Sequence, residues 1–181
     1  MRNGFDRCKK DEIKVLEIGF GTGLNAYLTA LTSDKKRLVH YTTIEKFPLS
    51  EEIWKNLNYA EVVGNRPDIF EKLHVSPWDE DIQVSPTFCL HKIQADISLL
   101  SLSGQFDVIF FDAFSPEKQA ELWTEEIFKE IFKHTAKGGI LTTYCAKGAV
   151  RRVMQAVGYK IERVLGPAGK REMLRATKID D

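Results

Sequence analysis

Val15-Leu16-Glu17-Ile18-Gly19-Phe20-Gly21-Thr22-Gly23-Leu24-Asn25 is an apolar run that passes straight into a glycine-rich turn. The pattern predicts a strand, a tight loop and the start of a helix. Glycine accepts positive φ and carries no Cβ, so such a loop brings backbone N–H groups close to a ligand. The glycines fall as G-x-G-x-G at 19, 21 and 23, and Leu24 holds the place of the third glycine of the dinucleotide fingerprint. This spacing suits a nucleoside with an amino-acid tail better than a pyrophosphate. The loop is therefore read as a site for S-adenosyl-L-methionine (SAM), against the simpler alternative of a glycine-rich turn with no ligand.

Patterns on either side of the loop alternate between strand and helix, which argues for an α/β fold with a mainly parallel sheet. Strands are expected over 14–20, 39–45, 88–94, 106–111 and 140–144. Helices are expected over 24–32, from Glu51 behind an N-cap at Ser50, from Thr124 and over 148–157. Leu24, Leu28 and Leu31 are placed on one face of the first helix, and Lys137-Gly138-Gly139 is read as the stop of the helix that starts at Thr124. Two late strands, 159–164 and 172–177, join through Gly166-Pro167-Ala168-Gly169. Alternating units that end strand–strand fit the class I SAM-dependent methyltransferase architecture: a Rossmann-like, seven-stranded, mostly parallel sheet with helices on both faces. Pro67, Pro77, Pro86 and the acidic run 79–81 mark 65–88 as an irregular insertion. At 181 residues the chain holds one full core and is read as a single domain over 1–181.

The 26 basic and 26 acidic residues balance overall but not along the chain. From Lys137 onward ten Lys and Arg stand against four Asp and Glu; the preceding residues carry sixteen against twenty-two. The basic C-terminal part suggests an anionic partner, or a solvated surface. Cys8, Cys89 and Cys145 are odd in number with no C-x-x-C, and the four histidines are scattered, so neither a disulfide framework nor a metal site is expected. No apolar run has the length of a membrane span and the start lacks an apolar signal region. A cytoplasmic protein with no membrane or metal partner is the expectation.

In an open α/β sheet the ligand lies beyond the carboxyl ends of the strands. Four expected strand ends carry useful chemistry: the glycine loop, Glu45, Asp96 and Asp112. A carboxylate at Glu45 can accept hydrogen bonds from both ribose hydroxyls, and Asp96 is suitably placed for an adenine amino group. Glu17 and Asn25, at either end of the loop, complete the candidate cofactor contacts. Methyl transfer is an in-line displacement that needs positioning and exclusion of water more than an acid–base apparatus. An amine acceptor must still arrive with a free lone pair, and Asp112 is the candidate to orient it and take up its proton. Phe114 and Trp123 are candidate apolar walls or stacking faces for a base.

Gly19 to Asn25, Glu45-Lys46-Phe47-Pro48-Leu49, Asp112-Ala113-Phe114-Ser115-Pro116 and Leu122-Trp123-Thr124 together resemble the methyltransferase domain of the MnmC-type tRNA-modifying proteins. Gly148-Ala149-Val150-Arg151-Arg152 and Gly169-Lys170-Arg171-Glu172-Met173-Leu174 extend the likeness, which runs from about Lys14 to Thr177. The resemblance implies SAM-dependent N-methylation of 5-aminomethyl(-2-thio)uridine at the tRNA wobble position. It implies that Gly19, Gly21 and Gly23 line the cofactor loop, that Glu45 holds the ribose and that Asp96 lies at the adenine. Asp112 then faces the target amine, both as catalytic residue and beside the cofactor. Lys147, Arg151, Arg152, Lys170 and Arg171 become contacts to the phosphates of the tRNA, which presents its anticodon loop. The family's Asp-Gly after the fourth strand is Asp112-Ala113 here, and its Gly-Asp is Ala95-Asp96. The likeness also implies a segment ahead of the first strand that this sequence lacks. Two other readings share the loop and the acids: an aminopropyltransferase of the spermidine synthase type, and a non-catalytic SAM- or RNA-binding module.

Overall fold

A computed structural model describes residues 3–33, 37–166, 169 and 171–179. Eight strands form a single sheet: β1 (Glu12–Ile18), β2 (Leu38–Glu45), β3 (Asp81–Ser85), β4 (Phe88–Gln94), β5 (Phe106–Phe111), β6 (Thr135–Thr143), β7 (Tyr159–Leu165) and β8 (Glu172–Lys178). Their order is β3-β4-β2-β1-β5-β6-β8-β7. β4, β2, β1, β5 and β6 run parallel, while β3, β8 and β7 join antiparallel. The chain leaves β1 toward β2 on one side and later returns to β5 on the other. The carboxyl end of β1 is therefore the switch point, where a crevice opens in folds of this kind.

Helices cover both faces because β1, β2 and β5 are apolar on both. On one face α1 (Leu24–Ser33) and α4 (Pro67–Val75) bury Ala26, Tyr27, Ala30, Ile69, Phe70 and Leu73 against Ile13, Val15, Val39 and Tyr41. On the other, α5 (Glu125–Lys133) and α6 (Gly148–Ala156) bury Phe128, Ile131, Val150 and Met154 against Leu16, Ile18, Ile109 and Leu141. All six residues of β5 are buried, as its almost wholly apolar run requires; the polar exception, Asp107, pairs with Lys10 and accepts from the Lys14 N–H. The short helices α2 (Glu51–Lys55) and α3 (Tyr59–Val62) bridge β2 and α4.

The sheet has eight strands where the sequence pointed to seven, and the extra one comes from the segment read as irregular. Pro67 takes the first turn of α4, where its missing N–H has no intrahelical partner to lose. Asp81-Ile82-Gln83 then pairs β3 antiparallel to β4, with a bulge at Val84 before Ser85. The inner face of α1 is built from Ala26, Tyr27, Thr29, Ala30 and Ser33, and Leu24, Leu28 and Leu31 form a half-buried face beside it. Ser50 precedes α2 without a side-chain cap bond, whereas the Thr124 hydroxyl accepts from the Ile127 N–H at the start of α5. The α5 helix ends at Lys133, and Lys137-Gly138-Gly139 belongs to β6 instead of stopping the helix. Part of the β7–β8 connection, at 167, 168 and 170, lies outside the described residues.

Candidate active site

A cavity of about 390 Å³ opens at the switch point, a volume suited to a cofactor-sized ligand. Its walls come from the glycine loop, the end of β2 with Glu45, Lys46, Phe47 and Leu49, Ala95 to Ile97 after β4, Asp112 to Phe114 after β5, and Gln119, Glu121 and Leu122.

The loop's path depends on two of its glycines. Gly19 has φ +92°, and a Cβ there would stand 3.1 Å from the Asp112 carbonyl oxygen. Gly23 has φ +71°, and a Cβ would press on the His74 Nε2 and the Phe20 ring, each at 3.0 Å. The Phe20 ring turns inward, edge-on to His74 and Trp78. The turn is thus anchored from beneath while its backbone faces the cavity.

Glu45 clamps the open side. Its carboxylate accepts from the Gly21 N–H at 3.0 Å and from the Phe47 N–H at 2.8 Å, one bond on each oxygen. Each oxygen keeps a further acceptor position. Asp96 also lines the cavity, but its carboxylate is engaged: Oδ2 pairs with Lys46 Nζ at 2.8 Å, and Oδ1 accepts from the Ser98 N–H and hydroxyl. Lys46 first, then Ser98, hold this carboxyl well below the usual carboxylate range. Asp96 therefore works as the cap of the short helical turn that follows β4.

Asp112 lies on the cavity wall directly after β5, its N–H bonded to the Ile18 carbonyl. The Asn25 amide, in the first turn of α1, donates to Asp112 Oδ2 at 3.1 Å. Phe114 is 65% exposed at the rim, where Lys118 approaches its ring. Trp123 behaves otherwise than expected. It is 7% exposed, packs against Phe111 and Phe128, and donates from Nε1 to the Phe114 carbonyl at 2.8 Å. It is a buried prop under the Phe114 loop and offers no face to a base. Gln119, which has no signature in sequence, accepts from the Phe114 N–H and ties the same loop.

Glu17 and Gly23 do not line the cavity; Glu17 is fully buried behind it. Among the described residues, the basic residues of the C-terminal part also lie off its walls. Lys147 pairs with Glu117 of the loop that bears Phe114. Arg152 and Arg171 are exposed; Arg151 is half-buried, its Nε without a hydrogen-bond partner. Lys170 lies outside the described residues. Among the described residues no group of three or more His, Cys, Asp or Glu could hold a metal ion, and no helix is long and apolar enough to cross a membrane.

Loop N–H groups, two spare acceptor positions on Glu45, the Asp112 carboxylate and the apolar Ile18, Ile44, Ile97 and Leu122 make a donor and acceptor set that fits a nucleoside with a charged tail. Comparison with known proteins agrees. Residues 58–179 match the family model described as S-adenosyl-L-methionine-dependent methyltransferase. Over 91% of its length the chain is 30% identical to the tRNA 5-methylaminomethyl-2-thiouridine biosynthesis bifunctional protein MnmC of Marinomonas sp.. The match covers 26% of that protein, so the chain spans about a quarter of the curated relatives it resembles. The solved structure of MNMC2 from Aquifex aeolicus aligns over 93% of this chain and 54% of its own, with TM-score 0.66 and 23% identity. A spermidine synthase aligns over 93% of this chain and 54% of its own, with TM-score 0.57 and 16% identity, so the fold alone does not separate the two chemistries.

Proposed function

The chain belongs to the S-adenosyl-L-methionine-dependent methyltransferase family, and from that premise we propose that it methylates the primary amine of 5-aminomethyl(-2-thio)uridine at the tRNA wobble position. The observation that carries the reading is the placement of Asp112. Its carboxylate lies on the same cavity wall system as the glycine loop and Glu45, exposed, with Asn25 on one oxygen. The name of the MnmC relatives, which refers to methylaminomethyl-2-thiouridine in tRNA, supports the choice of acceptor. We take residues 1–181 as one catalytic domain acting in the cytoplasm.

The Gly19–Gly23 loop and Glu45 would hold SAM, which supplies an electrophilic methyl group when bound. The chain's own task is then positioning. The acceptor is an alkylamine, protonated in neutral water, and its nitrogen must lose a proton before its lone pair can form the new C–N bond. Asp112 attracts the ammonium, orients it and receives a proton. Ile18, Ile44 and Leu122 give the cavity an apolar wall. Phe114 gives the splayed base an apolar surface at the rim. Arg152 and Arg171, with Lys147, Arg151 and Lys170, supply phosphate contacts on the basic side.

An aminopropyltransferase would need several carboxylates to hold a polyamine; beyond Glu45 and Asp112 the cavity wall carries Asp96, which is paired with Lys46, and Glu121. The direct test incubates the protein with methyl-labelled SAM and tRNA from cells lacking the modification. Label in tRNA supports the proposal. Label confined to small amines, or absent although SAM binds, rejects it.

A further inference from the structure

Asn25 is the side chain that joins the cofactor loop to the acid after β5. Its Nδ2 donates to Asp112 Oδ2 at 3.1 Å, and both residues line the cavity. The backbone on either side of that bond is held. In the first turn of α1 the Thr29 hydroxyl donates to the Asn25 carbonyl at 2.7 Å, and the Tyr27 N–H donates to the Gly23 carbonyl at 2.9 Å. At the end of β5 the Asp112 N–H donates to the Ile18 carbonyl at 3.0 Å, and the Asp112 carbonyl lies against Gly19.

Asparagine is a poor helix former, because its amide draws on nearby backbone groups in competing conformations. At the start of α1 an aspartate would also suit the positive end of the helix better than a neutral amide does. What asparagine supplies there is an N–H donor aimed at Asp112. A carboxylate only accepts, so Asp112 dictates which end of the amide faces it. The bond to Oδ2 restricts rotation of the carboxylate. It also favours the ionised acid, the form that can receive the ammonium proton.

We propose that Asn25 is a positioning residue for Asp112: a hydrogen bond from its side-chain amide orients the acid toward the acceptor amine and ties it to the loop that holds the cofactor. This rests on the reading of Asp112 as the amine-facing group. In the proton transfer an N–H bond of the ammonium breaks, an O–H bond forms on Asp112, and the nitrogen keeps the electron pair. Asn25 holds the receiving carboxylate in place through that step.

The first test needs neither cofactor nor acceptor. The Asp112 side-chain carboxyl carbon is followed by NMR of the full chain from about pH 3 to about pH 8, in the parent and in Asn25→Ala. Glu17 on β1, Tyr41 on β2 and Tyr144 after β6 are titratable groups that feel the Asp112 charge. Glu45, Lys46, Asp96 and Glu121 share its cavity wall, and all seven are the same in both proteins. Losing a donor to the charged form should raise the Asp112 midpoint by about half a unit to one unit. A midpoint that does not move overturns the proposal.

The second test is kinetic. Asn25→Ala should lower kcat about tenfold to hundredfold, with the SAM dissociation constant within about threefold of the parent's. Asn25→Asp fills the same space and suits the helix start, yet it faces Asp112 with a second carboxylate. It should keep the parent's thermal stability and turn over no faster than Asn25→Ala, and it carries both tests should Asn25→Ala not fold. An Asn25→Asp protein as active as the parent overturns the proposal. SAM affinity that falls as far as kcat makes Asn25 a cofactor contact and overturns it too. In an Asp112→Asn background Asn25→Ala should cost nothing further, and losses that multiply contradict the proposal. Full turnover by Asp112→Asn alone removes the amine-facing role of Asp112 and the proposal with it, whereas the NMR shift reports the Asn25–Asp112 bond separately.

Discussion

The Gly21 N–H donates to Glu45 Oε2 at 3.0 Å, so the acid at the end of β2 braces the loop that follows β1. One carboxylate thus shapes the turn and keeps acceptor positions for a ribose. Glu45→Gln should weaken SAM binding about tenfold to hundredfold, the range expected for losing charged hydrogen bonds. Calorimetric titration measures it. Unchanged affinity would place the ribose elsewhere.

Asp112→Ala separates holding the cofactor from using it. SAM affinity should stay within about threefold, because the loop and Glu45 are intact, while turnover falls about a hundredfold or more. A matching loss of affinity, read by the same titration, would make Asp112 chiefly a cofactor contact.

Trp123 and Phe114 are linked by the 2.8 Å bond from indole Nε1 to the Phe114 carbonyl. Trp123→Phe retains most of the packing and deletes that bond, so it should cost about 1 kcal/mol by denaturant unfolding. Trp123→Ala should cost about 3–5 kcal/mol, since it empties a site bounded by Phe111 and Phe128. A Trp123→Ala protein as stable as its parent would contradict the buried-prop assignment.

Lys92 is 1% exposed, its ammonium donating to the His74 carbonyl at 2.8 Å and lying 4.7 Å from the Trp78 ring centre. Burial pushes its pKa down to about 8 from 10.5. The unfolded chain therefore binds more protons between those values, and stability rises with pH across that window. Lys92→Met removes this dependence. Its stability relative to the parent should fall by up to about 3 kcal/mol from pH 8 to pH 10.5. Parallel unfolding curves at the two pH values would show that Lys92 stays charged in the fold.

Arg152→Ala with Arg171→Ala tests the RNA path, since both side chains are exposed on the basic C-terminal part. The slope of log affinity for tRNA against log salt should become shallower by about one for each phosphate that the variant no longer neutralises. An unaltered slope would place the RNA on another face.

The strands that frame the site were legible because a buried parallel strand has an unmistakable composition. Phe106–Phe111 coincides with its nearly unbroken apolar run, and Phe88–Gln94 with an alternating pattern of buried Phe88, Leu90 and Lys92. The glycine loop, Glu45 and Asp112 were equally legible, since strand–glycine–helix spacing and strand-end acids are local signals. β3 was hidden because three prolines and an acidic run read as loop, whereas Pro67 starts a helix and the β3 pairing depends on β4. Trp123 misled for a different reason. An aromatic beside a site has ordinary structural uses, and only its burial and its bond to Phe114 decide between them; Asp96 does line the cavity, and only the structure shows its bonds to Lys46 and Ser98. Gln119 left no trace because its role is a single backbone hydrogen bond.

The central claim concerns one nitrogen, and nucleoside mass spectrometry addresses it directly. tRNA from cells lacking the modification is treated with the protein and methyl-deuterated SAM, digested, and fragmented. The account predicts a deuteromethyl group on the exocyclic nitrogen of wobble aminomethyluridine, absent with Asp112→Ala. A deuteromethyl group on the base ring, the ribose or another nucleotide would contradict it.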